Sequence, residues 1–159
     1  MHRRGVTLIE MVAVVAVLLG ITGIAIPMLG NDAGSRLGAA AMMLRDDLEQ
    51  VRHRTIADPS NPLALIVGTN GQGWRITPLK ETAQPIERHD GEAWEIAFGE
   101  GRATGFEDVR IQSDADIIWF DARGVLGMNQ KPKVQLSLDG RKRSLDIGLV
   151  TGLVKIRSP

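Results

Sequence analysis

The chain has 159 residues, the size of one domain once a terminal segment is set aside. Its 19 basic and 19 acidic side chains cancel to zero, which argues against a protein held to nucleic acid by a bulk basic field. There is no cysteine, so a disulfide framework, a zinc–thiolate site and a thiol nucleophile are excluded; three Phe, three Trp and no Tyr leave few aromatic faces for stacking bases or sugars.

The first element is an apolar run. Met11 to Leu29 is nineteen residues of nearly continuous Val, Leu, Ile and Ala. As a helix rising about 1.5 Å per residue, it roughly matches a 30 Å hydrocarbon core. His2, Arg3 and Arg4 precede it, which orients the amino terminus to the cytoplasm. A secretory signal peptide has a shorter apolar region, about 7–15 residues, followed by a small-residue cleavage site, and no clear A-x-A site follows here. A plain single-pass anchor leaves Glu10 unexplained, because a carboxylate at the mouth of a membrane span needs a partner.

Arg4-Gly5-Val6-Thr7-Leu8-Ile9-Glu10-Met11 resembles the processing site of type IV prepilins and type II secretion pseudopilins. The resemblance implies a prepilin peptidase cut between Gly5 and Val6 and N-methylation of Val6; Phe or Met is commoner at that position. Cleavage there creates an amine four residues, about one helical turn, from Glu10. In a staggered bundle the amine of an incoming subunit meets Glu10 of a neighbour instead, and the resemblance implies that use, as a register device for assembly. The bland alternative is a glutamate that snorkels to the interface. Pro27 removes one helical hydrogen bond and predicts a kink, a feature common in the family. Gly20 and Gly23 permit close helix approach, though small residues are frequent in membrane helices anyway.

After the turn-like Asn31–Ser35, with Asp32 or Ser35 as a candidate cap, a second helix is predicted. Leu37, Ala41, Leu44, Leu48, Val51 and Thr55 recur at spacings of three and four, with Arg45, Asp46, Asp47, Glu49, Gln50, Arg52 and Arg54 between them. This stripe is either a partner face or, the preferred reading, the side that packs on the protein's own sheet. The breakers Asp58-Pro59-Ser60-Asn61-Pro62 end it.

Beyond Pro62 the pattern turns to short strands. Leu63–Val67, a turn at Asn70–Gly73 and Trp74–Thr77 predict a hairpin. Glu92–Phe98, Val109–Ile111 and Ile117–Phe120 predict further strands, with the polar 79–92 segment as a surface loop. Val134, Leu136 and Leu138 alternate with polar residues, as do Leu145, Ile147 and Leu149. A four-residue loop, Asp139 to Lys142, sets Leu145 opposite Leu136 and Ile147 opposite Val134. It is preferred over a two-residue loop because it keeps one face apolar. Leu153–Arg157 is the last predicted strand.

This head resembles the GspH/FimT type of minor pseudopilins and minor pilins, which share the phrase F-x-x-x-G…V-x-L…R-x-L-x-I-x-x-x-G-x-V. It is matched here at Phe120, Gly124, Val134, Leu136, Arg143, Leu145, Ile147, Gly152 and Val154. The expected fold is α+β, a long N-terminal helix with a membrane-spanning first half, packed on a C-terminal antiparallel β-sheet head. Its parts are a leader (1–5), a transmembrane helix (6–30), an amphipathic stalk helix (31–58) and a periplasmic head (59–159).

No catalytic constellation is present, and neither an enzyme nor a cofactor is expected. His53 and His89 are read as exposed, and Ser60 lacks a nucleophile-elbow context. Glu107, Asp108, Asp114, Asp116 and Asp121 lack an EF-hand ligand order, so a solvated acidic face is preferred over a calcium site. Gly140-Arg141-Lys142-Arg143 has the G-R-x-R pattern of FimT-type DNA receptors, but one hairpin too early. By position the counterpart is Gly152-Leu153-Val154-Lys155. Arg141, Lys142 and Arg143 are read as a solubilising hairpin tip in preference to a weak, salt-dependent nucleic-acid contact. The resemblance implies a minor pseudopilin of a type II secretion system, an inner-membrane protein whose partners are other pseudopilins or pilins, prepilin peptidase and secreted cargo. The alternative is a minor pilin of a type IV pilus with a role in DNA uptake.

Overall fold

The computed structural model describes residues 8–17 and 33–157, and the chain divides into two units, Met1–Asp32 and Ala33–Pro159. In the first unit, residues 8–17 form a helix, α1, on which every residue is exposed. Among the described residues no helix is long and apolar enough to cross a membrane. Most of the expected span, with Gly20, Gly23 and Pro27, lies outside the described residues, as do Gly5, Val6 and Asp32.

The second unit begins with α2 (Ala33–Ala57), which ends one residue before the predicted cluster of breakers. Leu37, Ala41, Leu44, Leu48, Val51 and Thr55 are all buried, so the stripe read from the sequence is the packing face. It lies against the strands Leu63–Val67, Val134–Leu138, Arg141–Ile147 and Val154–Arg157 of the protein's own sheets. Thr55 suits this face because its hydroxyl has a partner: the Leu63 amide donates to Oγ1 at 3.1 Å, tying the end of α2 to the first strand.

Two antiparallel four-stranded sheets follow. The first holds β1 (Leu63–Val67), β2 (Gly73–Pro78), β3 (Glu95–Ala97) and β5 (Ile117–Trp119) in the order β3-β2-β1-β5. The second holds β4 (Arg110–Ser113), β6 (Val134–Leu138), β7 (Arg141–Ile147) and β8 (Val154–Arg157) in the order β4-β6-β7-β8. One continuous core joins both sheets to α2, with Trp74, Phe120, Leu65, Ile76, Ile118 and Leu136 among its largest buried members. The strand expected over 92–98 is shorter than its apolar pattern, because residues 86–94 fold back on themselves first. Glu87 bridges Ala93, and the Ile86 amide donates to the Ile76 carbonyl at 2.9 Å.

The β6–β7 hairpin corrects one expectation. It closes with two residues, Asp139 and Gly140, not four, so Leu138 faces Arg141, Leu136 faces Arg143 and Val134 faces Leu145. Asp139 and Gly140 both take positive φ, 49° and 76°. A two-residue type I′ turn demands this, and Asp-Gly supplies it readily. Face preservation did not discriminate between the loops, because registers two residues apart leave every side chain on its own face. Arg141 is exposed and Arg143 half-buried; long methylene stems let arginine share an apolar face.

Candidate functional site

The assembly segment is represented by Glu10 alone, since Gly5 and Val6 fall outside the described residues. Glu10 sits on α1 among Leu8, Ile9, Met11 and Val12, all exposed. A helix that displays aliphatic side chains on all sides has a surface suited to lipid or to other helices.

The basic cluster is divided by the fold. Arg141 lies over the first turn of α2: a Cβ built on Gly34 would stand 2.7 Å from its Nη1. Lys142 projects from the opposite face of β7, beside the turn, and is exposed. Arg143 lines a groove of about 530 Å³ between α2 and β8, with Met42, Arg45, Val154, Lys155 and Ile156. Arg143 and Lys155, two separate candidate positions in the sequence, therefore share one groove.

The family-like phrase turns out to be a structural clamp. Gly124 follows β5 and Gly152 precedes β8, both with positive φ, 73° and 63°. A side chain at Gly152 would collide with the Gly124 carbonyl oxygen and stand 2.9 Å from Arg52 Nε. Arg52 Nε donates to that Gly124 carbonyl at 2.9 Å, and its Nη1 lies 3.3 Å from Glu49 Oε2. The other Glu49 oxygen accepts from the Val154 amide at 3.1 Å. One ion pair on α2 thus fastens the loops at both ends of the phrase. In the sequence Glu49 and Arg52 stand among the polar residues between the apolar positions of α2. Their i, i+3 spacing was visible, but their loop partners were not.

Asp47, another of the polar residues between those apolar positions, is only 3 % exposed. Its Oδ2 accepts from Trp74 Nε1 at 2.8 Å, Trp94 lies beside it, and Arg54 stacks 4.7 Å from the Trp94 ring centroid. Burial pushes the Asp47 carboxyl above its ordinary pKa, and the Trp74 hydrogen bond offsets part of that rise.

Three of the other acidic residues, Glu107, Asp114 and Asp121, serve separate local roles. Glu107 pairs with Arg36 at 3.2 Å, and Asp114 accepts from the Lys133 amide at 2.6 Å. Asp121 accepts from the amides of Val125 and Arg123, both at 2.9 Å; the Val125 bond is the main reason its carboxyl sits below the ordinary range. Among the described residues no three His, Asp or Glu side chains are grouped so as to hold a metal ion. His53 and His89 are exposed.

No protein-family model matches the chain, and no curated protein matches it. Two solved structures do, both crystal forms of the type IV minor pilin FimU of Pseudomonas aeruginosa (strain PAO1). The P65 form superposes with a TM-score of 0.54 at 18% identity, covering 77% of this chain and 97% of FimU. The P21 form gives 0.53 at 17%, covering 80% and 91%. At that identity the likeness speaks for architecture: a helix packed on antiparallel β-sheets, α+β, like that of type IV pilins.

Proposed function

We propose that the chain is a minor pseudopilin of a type II secretion system. It is inserted in the inner membrane by its N-terminal helix, cut between Gly5 and Val6, methylated on Val6 and added to a periplasmic filament through Glu10. It works as a structural and interaction subunit, with other pseudopilins and secreted cargo as partners. The observation that carries this reading is the combination of a prepilin-like segment, Arg4–Met11, with a pilin-like head folded on an amphipathic helix. The second reading is a minor pilin of a type IV pilus that takes part in DNA uptake. It is favoured by one observation: both matching solved structures are type IV minor pilins.

Crosslinking of the tagged protein in its native cells, with partners and mature amino terminus read by mass spectrometry, separates the two. The first reading expects other minor pseudopilins and a chain beginning at methylated Val6. Recovery with major pilin and DNA-uptake proteins replaces it with the second. An unprocessed chain beginning at Met1 overturns both.

A further inference from the structure

The chain is neutral as a whole, but its charges are not mixed. Residues 58–121 carry twelve carboxylates against five Lys or Arg, and residues 123–157 carry eight Lys or Arg against two carboxylates. The fold turns this division along the chain into one across the head. The strands of the first sheet lie in the acidic stretch, and β6, β7 and β8 of the second lie in the basic one. Like charges gathered on one side repel, so a neutral surface ordinarily intersperses the two signs.

The contacts of α2 show where the two signs end up. Gly38, Met42 and Arg45 line the groove beside β8, and Glu49 accepts from the Val154 amide. Asp47 instead accepts from Trp74, and Arg54 stacks on Trp94, just before β3. With 3.6 residues per turn, Met42 and Glu49 point roughly 120–160° away from Asp47 and Arg54. β8 and the start of β3 therefore lie on opposite flanks of α2. On the β8 flank, Lys142, Lys155 and Arg157 share the sheet face turned away from the core, while Leu145, Ile147 and Val154 fill the other. Arg157 and Lys131 hold Asp146 at 2.7 and 3.4 Å, and Lys142 and Lys155 make no ion pair among the described residues. On the β3 flank, Glu87, Asp90, Glu92, Glu95 and Glu100 are all exposed. Of the cations between residues 86 and 103, Arg88 is held by Asp90 at 2.9 Å and Arg102 alone is exposed.

We propose that the heads of two copies of this chain dock side by side, the Lys142, Lys155 and Arg157 face of one against the Glu87–Glu100 edge of the next. The two surfaces differ, so the contact is heterologous and repeats from copy to copy instead of closing as a two-fold dimer. Charge complementarity between two flanks of the same head supplies both the attraction and the register. A nucleic acid matches the basic face but leaves the acidic edge without a purpose. The proposal is independent of which machine the chain serves.

The test follows the full-length chain in a non-ionic detergent by analytical ultracentrifugation. The wild type associates at low salt and dissociates toward about 1 M salt, where screening cuts the reach of a charge to about 3 Å. Lys142→Glu combined with Lys155→Glu lowers low-salt association by more than about tenfold, and so does Glu92→Lys combined with Glu95→Lys. An equimolar mixture of these two variants recovers association, because each supplies the sign that the other has lost. Circular dichroism checks that each variant is folded. Lys155→Gln and Glu95→Gln keep the test open should a reversal unfold the head: each lowers association severalfold, and no change in either overturns the proposal. A wild type that stays monomeric at low salt overturns it, and binding of duplex DNA by that monomer replaces the second copy with nucleic acid. Association indifferent to salt and to all four charges overturns it in favour of an apolar contact. Folded variants that do not recover on mixing overturn the pairing of these two surfaces.

Discussion

Asp47 shows how a single position can carry a signal that polarity hides. It stands three residues after Leu44 and four before Val51, both buried, so its spacing already placed it on the packing face. Only its charge argued for solvent. The structure resolves the conflict with a hydrogen bond from Trp74, a donor twenty-seven residues away that no local window reveals. Asp47→Ala leaves the indole N–H without its acceptor and is expected to destabilise the head by about 1–3 kcal/mol. Asp47→Asn keeps an acceptor oxygen and removes the buried charge. Because the folded carboxyl is held above the unfolded value, the folded state binds the proton more tightly. Wild-type stability relative to Asp47→Asn is therefore highest at low pH, falls as pH rises from the ordinary aspartate range through the raised value, and is flat above it. Chemical denaturation of the two proteins across that range checks the sign. A difference that grows with pH would mean the carboxylate is stabilised in its charged form.

Among the elements, α2 and the hairpins were the most legible, because each is specified by residues close in sequence. The stripe from Leu37 to Thr55 needed only a period, and the β1–β2 hairpin only a turn between two β-prone runs. The β6–β7 register departs from the alternation-based expectation because side-chain alternation is blind to a shift of two, whereas the backbone demand of Asp139-Gly140 is not. The Glu49–Arg52 clamp was illegible for a different reason: its partners lie in two loops far down the chain. Arg52→Ala removes the bond to Gly124 and frees Glu49 from its ion pair; a loss of about 1.5–3 kcal/mol is expected for a charged hydrogen bond of this burial. Gly152→Ala costs about 1–2 kcal/mol from left-handed backbone alone, before its collision with Gly124 is counted. Since both changes break one clamp, their combination is expected to cost less than the sum, and a double-mutant cycle in thermal or denaturant unfolding measures the shortfall. Full additivity would show that the two loops are held independently.

For the whole molecule, the sequence made the architecture legible while leaving the machine it serves open. Periodicity and turns define a helix on a sheet, whereas the choice between secretion and pilus depends on surfaces that meet other chains. The assembly role argued for Glu10 makes one prediction at this scale. Glu10→Ala protein is expected to insert in the membrane as the wild type does, yet to be absent from isolated filaments. Equal incorporation, measured by immunoblot of the sheared filament fraction, would remove that role. The clamp has a further consequence, in the order of synthesis. Glu49 and Arg52 leave the ribosome early, but the groups they hold lie 105 and 72 residues later, at Val154 and Gly124. At about 5–20 residues per second, α2 waits about 5–20 s for the last strand that covers it. Through that interval its apolar stripe has β1 but not yet β6, β7 and β8 to lie on, so the head completes its fold from its carboxyl end, and a ribosome that stops short of β6 releases a chain in which α2 lacks three of the four strands it packs on.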